Sequence, residues 1–469
     1  MRGLALALAM LVGACGTVSP INVASSAPQP APHERDVGED VLVLALSGGG
    51  ARAASFHLGI LQELQATHGR NGRPLTDHIA LITSVSGGSV LSAYYGLHGD
   101  DGLATFRGAY LDSGWRARAA WWPPVWIGTL RGGANGQPQL ADWLERNVYP
   151  NSRMRDLTRG PRVIINSTEL YNYTAFAFTP LYFEGICSDL GEVRVADAVA
   201  ASMAVPMMFR PVVAQTHDGC GTPAWVSRVL ADRSTPENVR LTAQAFRNYR
   251  NLGADGLPEN FQRTDQTYLH LSDGGVVDNL GLSSLMVMRA AGPAPAPLTA
   301  REAVVARRVL VVVSNAEYLR GDRHYQERRS DALGIAEAIV APLDASTEAA
   351  KRLALDAFRA ELPAFEREVQ AFRCGLSASE AAQLGAGPGW NCGDFSMAMD
   401  VVSFRDMSRS EYCEFYNLET SLTIRDPSQV SRLIDAGRGV VTRNAALMDF
   451  AGRPAPAQEP APSRRCPSP

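Results

Sequence analysis

A serine in a glycine-rich segment is the first group in the chain that could act as a nucleophile. Ser86 lies in SVSGG (84–88), between a run with strand character and a run with helical character. A tight turn between a strand and a helix raises a serine hydroxyl above the sheet edge, and it needs small residues two positions before and after the serine. Ser89 fits this pattern less well, because Leu91 would then stand where a small residue is needed. An ordinary serine cap on a helix is the alternative interpretation.

A carboxylate that could accept the serine proton follows a later predicted strand. Asp273 opens the segment DGG (273–275), directly after the apolar run TYLHLS (267–272). Burial in a partly desolvated cleft raises the pKa of a carboxyl group toward neutral pH, where it suits the role of general base. A structural turn is the alternative, since Asp-Gly is a common turn sequence.

A glycine-rich turn, SGGGAR (47–52), follows the first predicted strand and opens a helix, so it presents free backbone N–H groups. Gly48, Gly50 and Ala53 match the G-x-G-x-x-A dinucleotide pattern. The second strand, however, ends without the carboxylate that such a site needs. We therefore favour an oxyanion hole, in which the amides of Gly49 and Gly50 donate to a developing negative charge. One such donor is worth about 3 kcal/mol of the activation barrier.

A Ser–Asp–His triad is the alternative to a Ser–Asp pair, so three histidines need an interpretation. His57 follows the glycine turn, His270 lies in the strand before Asp273, and His324 follows the last predicted strand. We interpret His57 and His270 as packed side chains. His324 lies in RGDRHYQERR (320–329), which is typical of a solvated charged loop.

Short aliphatic runs predict the strands that would position these groups. Continuous apolar runs of strand length, buried on both faces, are typical of parallel or mixed sheets covered by helices. Helices are predicted from Arg52 to about Ala66 and from about Ser89, and residues 214–266 are predicted to be an insertion. The alternation indicates one α/β domain. The remaining strand runs are VLVLALS (41–47), IALITS (79–84), RVIINST (162–168) and RVLVVVS (308–314).

Together these segments resemble the patatin-like phospholipases. That family carries a glycine-rich oxyanion loop followed by Arg, a G-x-S-x-G serine and an Asp in a D-G-G/A turn, in the order found here. ADAVAASMAVPMMFRPVV (196–213) resembles its A-S-x-A-x-P-x-x-F-x-P-V block, and NSTEL (166–170) resembles another. The resemblance covers about residues 40–315. Ser47 replaces the usual Asp of the loop and Ser84 replaces a Gly, and neither change removes a reacting atom.

The resemblance implies a three-layer α/β/α fold around a mixed, mostly parallel sheet. It also implies a serine lipid acyl hydrolase of phospholipase A or lysophospholipase type, with Ser86 as nucleophile and Asp273 as base. Arg52 would brace the loop or contact a lipid phosphate, and no metal or other cofactor is expected. An acyltransferase and a non-catalytic lipid-binding lipoprotein are the alternatives. The implied oxyanion hole consists of Gly48, Gly49, Gly50 and Gly87.

The N-terminus has the proportions of a secretory signal. Arg2 precedes the apolar run LALALAMLVGA (4–14), which ends at Cys15. The segment VGAC (12–15) resembles a bacterial lipobox, which implies removal of residues 1–14 and acylation of Cys15. Gly16 is not the Asp that signals inner-membrane retention, so we expect an outer-membrane lipoprotein that faces the periplasm. Its expected partners are the membrane that holds the anchor and phospholipid or lysophospholipid substrates.

The rest of the chain divides by composition. Residues 15–39 are predicted to form a flexible tether, 40–452 the acyl hydrolase domain with a helical C-terminal extension (316–452), and 453–469 a disordered tail. The chain has 469 residues, of which 46% are hydrophobic and 20% charged, with a net charge of -4. This slightly acidic balance gives no electrostatic reason to bind nucleic acid.

Tryptophans and cysteines concentrate in particular segments. Four tryptophans in GWRARAAWWPPVWIG (114–128), flanked by three arginines, predict either an interfacial patch or an aromatic corner of the core. The six cysteines beyond Cys15 are compatible with disulfides in an oxidising compartment. A bridge from Cys374 to Cys392, or from either to Cys413, is plausible. The tryptophans are Trp115, Trp121, Trp122 and Trp126, and the arginines are Arg116, Arg118 and Arg131.

Overall fold

The structure is a computed structural model. It describes residues 18–25, 29, 33–113, 137–206, 208–249, 267–316, 335–415, 418, 420–454 and 466. The signal segment with Cys15, the tryptophan-rich segment, His324 and most of the C-terminal tail lie outside these residues.

One mixed sheet forms the centre of the fold. Its order is β5-β6-β3-β2-β1-β7-β8, and β4 pairs with β3 beside this path. This arrangement confirms the predicted α/β fold with a mixed, mostly parallel sheet, and each of the strands predicted from an apolar run is present. The strands are β1 (Asp40–Leu46), β2 (Ile79–Val85), β3 (Arg162–Glu169), β4 (Thr174–Ala177), β5 (Val212–Gln215), β6 (Tyr268–Asp273), β7 (Arg308–Asn315) and β8 (Ser396–Ser403).

The parallel strands share one carboxyl edge. β1 pairs in parallel with β2 and β7, and β2 with β3, so that Leu46 lies opposite Ser84 and Val85 opposite Asn166. β1 and β2 are buried on both faces, as their uninterrupted aliphatic sequences require. The turns after β1 and β2 therefore meet at one edge of the sheet.

The strand that carries Asp273 runs in the opposite direction. β6 is antiparallel to β3, with Asp273 opposite Ser167 and Leu271 opposite Glu169. The last residues of β3 extend beyond the end of β2, and β6 comes back along this extension. Asp273 therefore lies near the end of β2, with β3 between the two strands.

Helices flank the sheet on both faces. Since parallel crossovers are right-handed, α1 and α2, which follow β1 and β2, lie on one face, and α11, which follows β7, lies on the other. The helices of the described residues are α1 (Gly50–Ala66), α2 (Gly87–His98), α3 (Asp100–Phe106), α4 (Gln137–Asn147), α5 (Pro180–Gly185), α6 (Val195–Ser202), α7 (Ala224–Ala231), α8 (Glu237–Tyr249), α9 (Leu282–Ala291), α10 (Ala300–Val305), α11 (Ile335–Gly375), α12 (Ala378–Gln383), α13 (Arg409–Phe415), α14 (Pro427–Arg443) and α15 (Ala445–Phe450). None of them is both long and apolar enough to cross a bilayer.

The C-terminal extension (316–452) was predicted to be helical. It is part of this domain and contains a strand, β8, in addition to helices. β8 pairs in parallel with β7 along its whole length. α14 crosses α1 at two glycines: a Cβ on Gly59 would lie 1.9 Å from the Ile434 carbonyl oxygen, and one on Gly437 would lie 2.2 Å from that of Phe56. The two helices therefore touch backbone to backbone.

Part of the predicted tether, residues 15–39, is instead held against the domain. The Ile21 amide donates to the Val213 carbonyl at 3.0 Å, and the Ser25 amide donates to the Cys187 carbonyl at 2.8 Å. These two bonds hold residues 21 and 25 against the domain, beside β5 and Cys187.

Six cysteines form three disulfides: Cys187–Cys220, Cys374–Cys392 and Cys413–Cys466. The bridge from Cys374 to Cys392 is one of those that the sequence made plausible. The bridge from Cys413 ties the C-terminal tail, predicted to be disordered, to α13.

Candidate active site

Ser86 stands on a strained turn between β2 and α2. Its backbone has φ 49° and ψ -117°, a combination that a residue with a Cβ rarely adopts and that costs about 1–3 kcal/mol. Ser86 is only 6% exposed. A nucleophile elbow requires this geometry, because it lifts the hydroxyl away from both the strand and the helix. The amino end of α2 adds a positive potential beside the hydroxyl.

Glycine is required around this turn because other backbone segments approach it closely. A Cβ on Gly88 would lie 2.5 Å from the Leu46 carbonyl oxygen, and one on Gly87 would lie 2.1 Å from the Gly50 carbonyl oxygen. The turn after β2 is thus pressed against the glycine loop after β1.

Asp273 faces Ser86 across the end of β3. The Ser86 hydroxyl interacts with the Asp273 carboxylate and lowers its pKa. The Gly275 amide donates to Asp273 Oδ1 at 2.7 Å. Burial raises the pKa of Asp273 to about 6, while the bonds from Gly275 and Ser86 lower it. The carboxylate is therefore ionised at neutral pH, yet it is basic enough to take a proton.

The glycine loop presents unused backbone donors to this pair. Gly49 and Gly50 have φ of 138° and 60°, conformations that favour glycine. Among the described residues, no acceptor engages the amides of Gly49, Gly50 or Gly87. The Gly48 amide, which the sequence analysis placed in the oxyanion hole, instead donates to the Asn279 carbonyl at 3.2 Å. The amides that remain available are those of Gly49, Gly50 and Gly87.

Arg52 braces the loop. Its side chain is 3% exposed, and its guanidinium donates to the carbonyls of Leu418 and Ala316. A buried guanidinium with these partners is not placed to meet a lipid phosphate, so the structure favours the first of the two expected roles.

A segment from far along the chain covers the outer side of the loop. We call Leu418 and Ser421, which lie between α13 and α14, the C-terminal strap. The Ala51 amide donates to the Ser421 carbonyl at 2.7 Å, and a Cβ on Gly50 would lie 2.1 Å from that oxygen. The glycine loop is thus held between the strap and Gly87.

His57 supports the loop from below. Its Nε2 donates to the Ser47 carbonyl at 3.0 Å, and its Nδ1 accepts from the Ser314 hydroxyl at 2.8 Å. Complete burial lowers the pKa of His57 to about 4, so the ring is neutral at physiological pH. Both ring nitrogens are engaged, and neither is available to Ser86.

His270 lies in β6, three residues before Asp273. Side chains alternate along a strand, so the two residues point to opposite faces of the sheet. The His270 ring packs edge-on against Tyr171, with 5.0 Å between the ring centroids. Its position does not suit a triad with Asp273.

Two residues after the DGG turn have different roles. Asp278 accepts hydrogen bonds from the amides of Leu280, Gly281 and Ser283, and so caps α9. The side chain of Asn279, which the sequence analysis did not assign to the site, borders it. A Cβ on Gly48 would lie 2.4 Å from Asn279 Oδ1 and 3.2 Å from Ser86 Cβ.

Comparison with known families identifies this arrangement. The family model described as patatin-like phospholipase matches residues 44–286, slightly more than half of the chain. The chain belongs to the patatin-like phospholipase family. The range matched by the model of this family includes both Ser86 and Asp273.

Solved structures of human GIVD cytosolic phospholipase A2 are distantly similar to this patatin-like chain. One is 13% identical, with a TM-score of 0.41, over 88% of this chain and 60% of that one. A complex of the same protein with methyl gamma-linolenyl fluorophosphonate is 14% identical, with a TM-score of 0.37, over 89% of this chain and 60% of that one. The chain thus spans about three fifths of the length of that enzyme. Curated protein sequences gave no match.

Replacing Asp273 by Asn should stabilise the protein above pH 6. The pKa of Asp273 is raised from 3.8 to about 6, so the folded protein holds this proton more tightly than the unfolded chain. Wild type therefore loses stability as the pH rises through this window, by up to about 3 kcal/mol, and an amide does not. Urea unfolding at pH 4, 5, 6 and 8 should show a gain for Asp273→Asn that grows with pH.

The matched control is Asp278→Asn, which changes a second buried carboxylate in the same segment. It weakens the cap of α9 and should lower stability at pH 8. Equal losses for the two variants at pH 8 would contradict the assigned environment of Asp273.

Proposed function

We propose that the protein is a serine acyl hydrolase of phospholipase A or lysophospholipase type, which cleaves carboxylic esters of membrane lipids through a Ser86–Asp273 dyad. The observation that carries this proposal is a serine on a strained turn, Ser86, beside a buried carboxylate whose pKa is raised. The proposed oxyanion donors are the amides of Gly49, Gly50 and Gly87, which lie beside this pair.

In the first step, Ser86 Oγ attacks the ester carbonyl while Asp273 takes the hydroxyl proton. The carbonyl oxygen becomes an oxyanion, and the glycine amides donate hydrogen bonds to it. Fixed donors in a buried site need no reorganisation when the charge appears, and removing one of them typically slows catalysis by a factor of about 100 to 1,000. Asp273 then returns the proton to the leaving alkoxide, and an acyl-enzyme remains on Ser86.

In the second step, water attacks the acyl-enzyme. Asp273 again accepts a proton, the fatty acid leaves, and Ser86 Oγ recovers its hydrogen. An alcohol in place of water would give acyl transfer through the same intermediate. Product analysis in the presence of a lysophospholipid acceptor separates these outcomes, because only hydrolysis releases one free fatty acid per ester consumed.

Ser86→Ala and Asp273→Asn should each lower kcat/KM for ester hydrolysis by about a thousandfold or more, because they remove the nucleophile and the base. Turnover of a mixed envelope-lipid extract, followed by mass spectrometry of the released fatty acids, measures the loss. Ser55→Ala is the matched control, because it removes a buried hydroxyl that bonds only to the Ala51 carbonyl of its own helix. It should keep wild-type turnover.

The histidines provide a second control. His270→Gln should keep most of the activity. A loss in His324→Gln as large as that in Ser86→Ala would mean that a histidine is the base, and the dyad would be wrong.

The pH dependence of activity should report the base. The pKa of Asp273 is raised to about 6 by burial. Since only the carboxylate form accepts the serine proton, kcat/KM should rise with pH through about 6 and level off above it. Initial rates from pH 4.5 to 8.5 on a soluble ester measure this rise, which is the acidic limb of the pH profile. If kcat/KM instead rises near pH 4, the base is not a buried carboxylate. If His324→Gln abolishes the rise, the titrating group is the imidazole of His324.

We further propose that the protein is an outer-membrane lipoprotein, anchored through acylated Cys15 and facing the periplasm. The pattern VGAC at residues 12–15 and Gly16 after it support the anchor and its destination. The three disulfides support an oxidising compartment. An anchor at this place would hold the hydrolase beside its lipid substrate.

Cys15→Ser should release the protein from the membrane fraction, because the acylated side chain is lost. Gly16→Asp keeps Cys15 and should move the protein from the outer to the inner membrane. Palmitate labelling and density-gradient fractionation measure both outcomes. Unchanged labelling of Cys15→Ser would rule out this anchor.

A further inference from the structure

Ser202 is the last residue of α6, and its side chain is completely buried behind the nucleophile turn. Its hydroxyl oxygen accepts the Ser86 amide at 2.8 Å. The same hydroxyl donates to the Asn166 carbonyl at 2.6 Å. Ser202 therefore links the backbone of Ser86 to β3, through one oxygen atom.

The orientation of this hydroxyl is fixed by its partners. A backbone amide can only donate and a carbonyl can only accept, while a serine hydroxyl has one proton. That proton goes to Asn166, so the lone pairs of Ser202 Oγ point to the nucleophile turn. Asn166 is itself held in place, since its side-chain amide donates to the Ser84 carbonyl at 2.9 Å.

The Ser86 backbone needs such a partner. Its conformation is strained, and its amide lies in a buried environment where the loss of an acceptor costs about 1–3 kcal/mol more. Without Ser202, the turn could lower its energy by rotating the amide toward another partner. That rotation would carry the Ser86 side chain away from its present position.

The residues directly after α6 also hold the base, Asp273. The Asp273 amide donates to the Ala204 carbonyl at 2.9 Å, and the Ser272 hydroxyl donates to it at 2.7 Å. Ser202 and Ala204 are two residues apart. The end of α6 is thus bonded to the backbone of Ser86 through a side chain and to the backbone of Asp273 through a carbonyl.

We infer that Ser202 is a positioning residue, which holds the strained Ser86 backbone so that the Ser86 hydroxyl stays beside the Asp273 carboxylate. It touches neither the substrate nor the reacting atoms, and it acts through Ser86. The inference rests on the proposed function of Ser86 and Asp273. It gives a physical role to the A-S-x-A block at residues 201–204, for which the dyad alone supplies none.

The experiment compares Ser202→Ala with Ser92→Ala. Ser202 belongs to a cluster of buried hydroxyls, in which Ser89 Oγ lies 3.0 Å from Ser202 Oγ and 3.2 Å from Ser84 Oγ. Ser92 is an equally buried serine of this cluster; it bonds to Ser84 Oγ at 2.6 Å, and among the described residues it has no bond to Ser86. Both variants remove one buried hydroxyl, so a purely structural effect should be similar in the two. Thermal unfolding and circular dichroism establish that each variant is folded.

Ser202→Ala should lower kcat on a soluble ester by about tenfold to a hundredfold with KM unchanged, because the nucleophile is displaced while the binding surface is kept. Labelling by a fluorophosphonate should slow by a similar factor. The acidic limb of kcat/KM should also move to higher pH, since the bond from Ser86 lowers the pKa of Asp273. Ser92→Ala should leave kcat, labelling and the limb unchanged.

Ser202→Cys keeps nearly the same volume but offers a weaker acceptor, and it serves if the alanine variant does not fold. Ser202→Cys should change kcat, the labelling rate and the pH profile in the same directions as Ser202→Ala, but by less. Wild-type kcat and an unmoved limb in the folded variant would overturn the inference, as would equal losses in Ser92→Ala. Full turnover by Ser86→Ala would instead overturn the proposed nucleophile, and the role of Ser202 with it.

Discussion

The interaction between the Ser86 hydroxyl and the Asp273 carboxylate depends on burying a carboxyl group without pairing it with a cation among the described residues. Desolvation alone would neutralise Asp273, and the bonds from Gly275 and Ser86 limit this effect. The surrounding structure maintains this balance: the strained turn, the glycine contacts and the end of α6 all set the distance between the two groups. The strain energy of this arrangement is offset by the packing of the sheet against its helices, whose hydrophobic side chains are almost fully buried.

The sheet topology explains how two residues distant in the chain meet. The five parallel strands, β1, β2, β3, β7 and β8, bring the turns after β1 and β2 to one edge, as open α/β sheets commonly do. β6 approaches this edge from the opposite direction, so Asp273 enters the site beside β3 and not beside β1.

Much of this site could be predicted because its signals are local. SGGGAR, SVSGG and DGG each follow a run of strand length, and the rule that ligands bind at strand ends brings them together. The direction of β6 could not be predicted, because a strand-end carboxylate has the same sequence in either orientation. The roles of Asn279 and Ser202, and the hydrogen-bond partner of the Gly48 amide, depend on contacts between distant segments. Serine and asparagine are common in any sequence, so their presence does not indicate such contacts. β8, SMAMDVVS, was missed because it is a partly exposed edge strand with only a short apolar run.

The C-terminal strap has a consequence for biosynthesis. The glycine loop at residues 48–50 is among the first parts of the domain to be translated, whereas Ser421, which covers it, is among the last. A nascent polypeptide can therefore form β1, β2 and α1 while this loop is still uncovered on the ribosome. A chain that stalls or is cut before the strap lacks the contacts that complete the loop beside Ser86, so an incomplete product does not contain the assembled site.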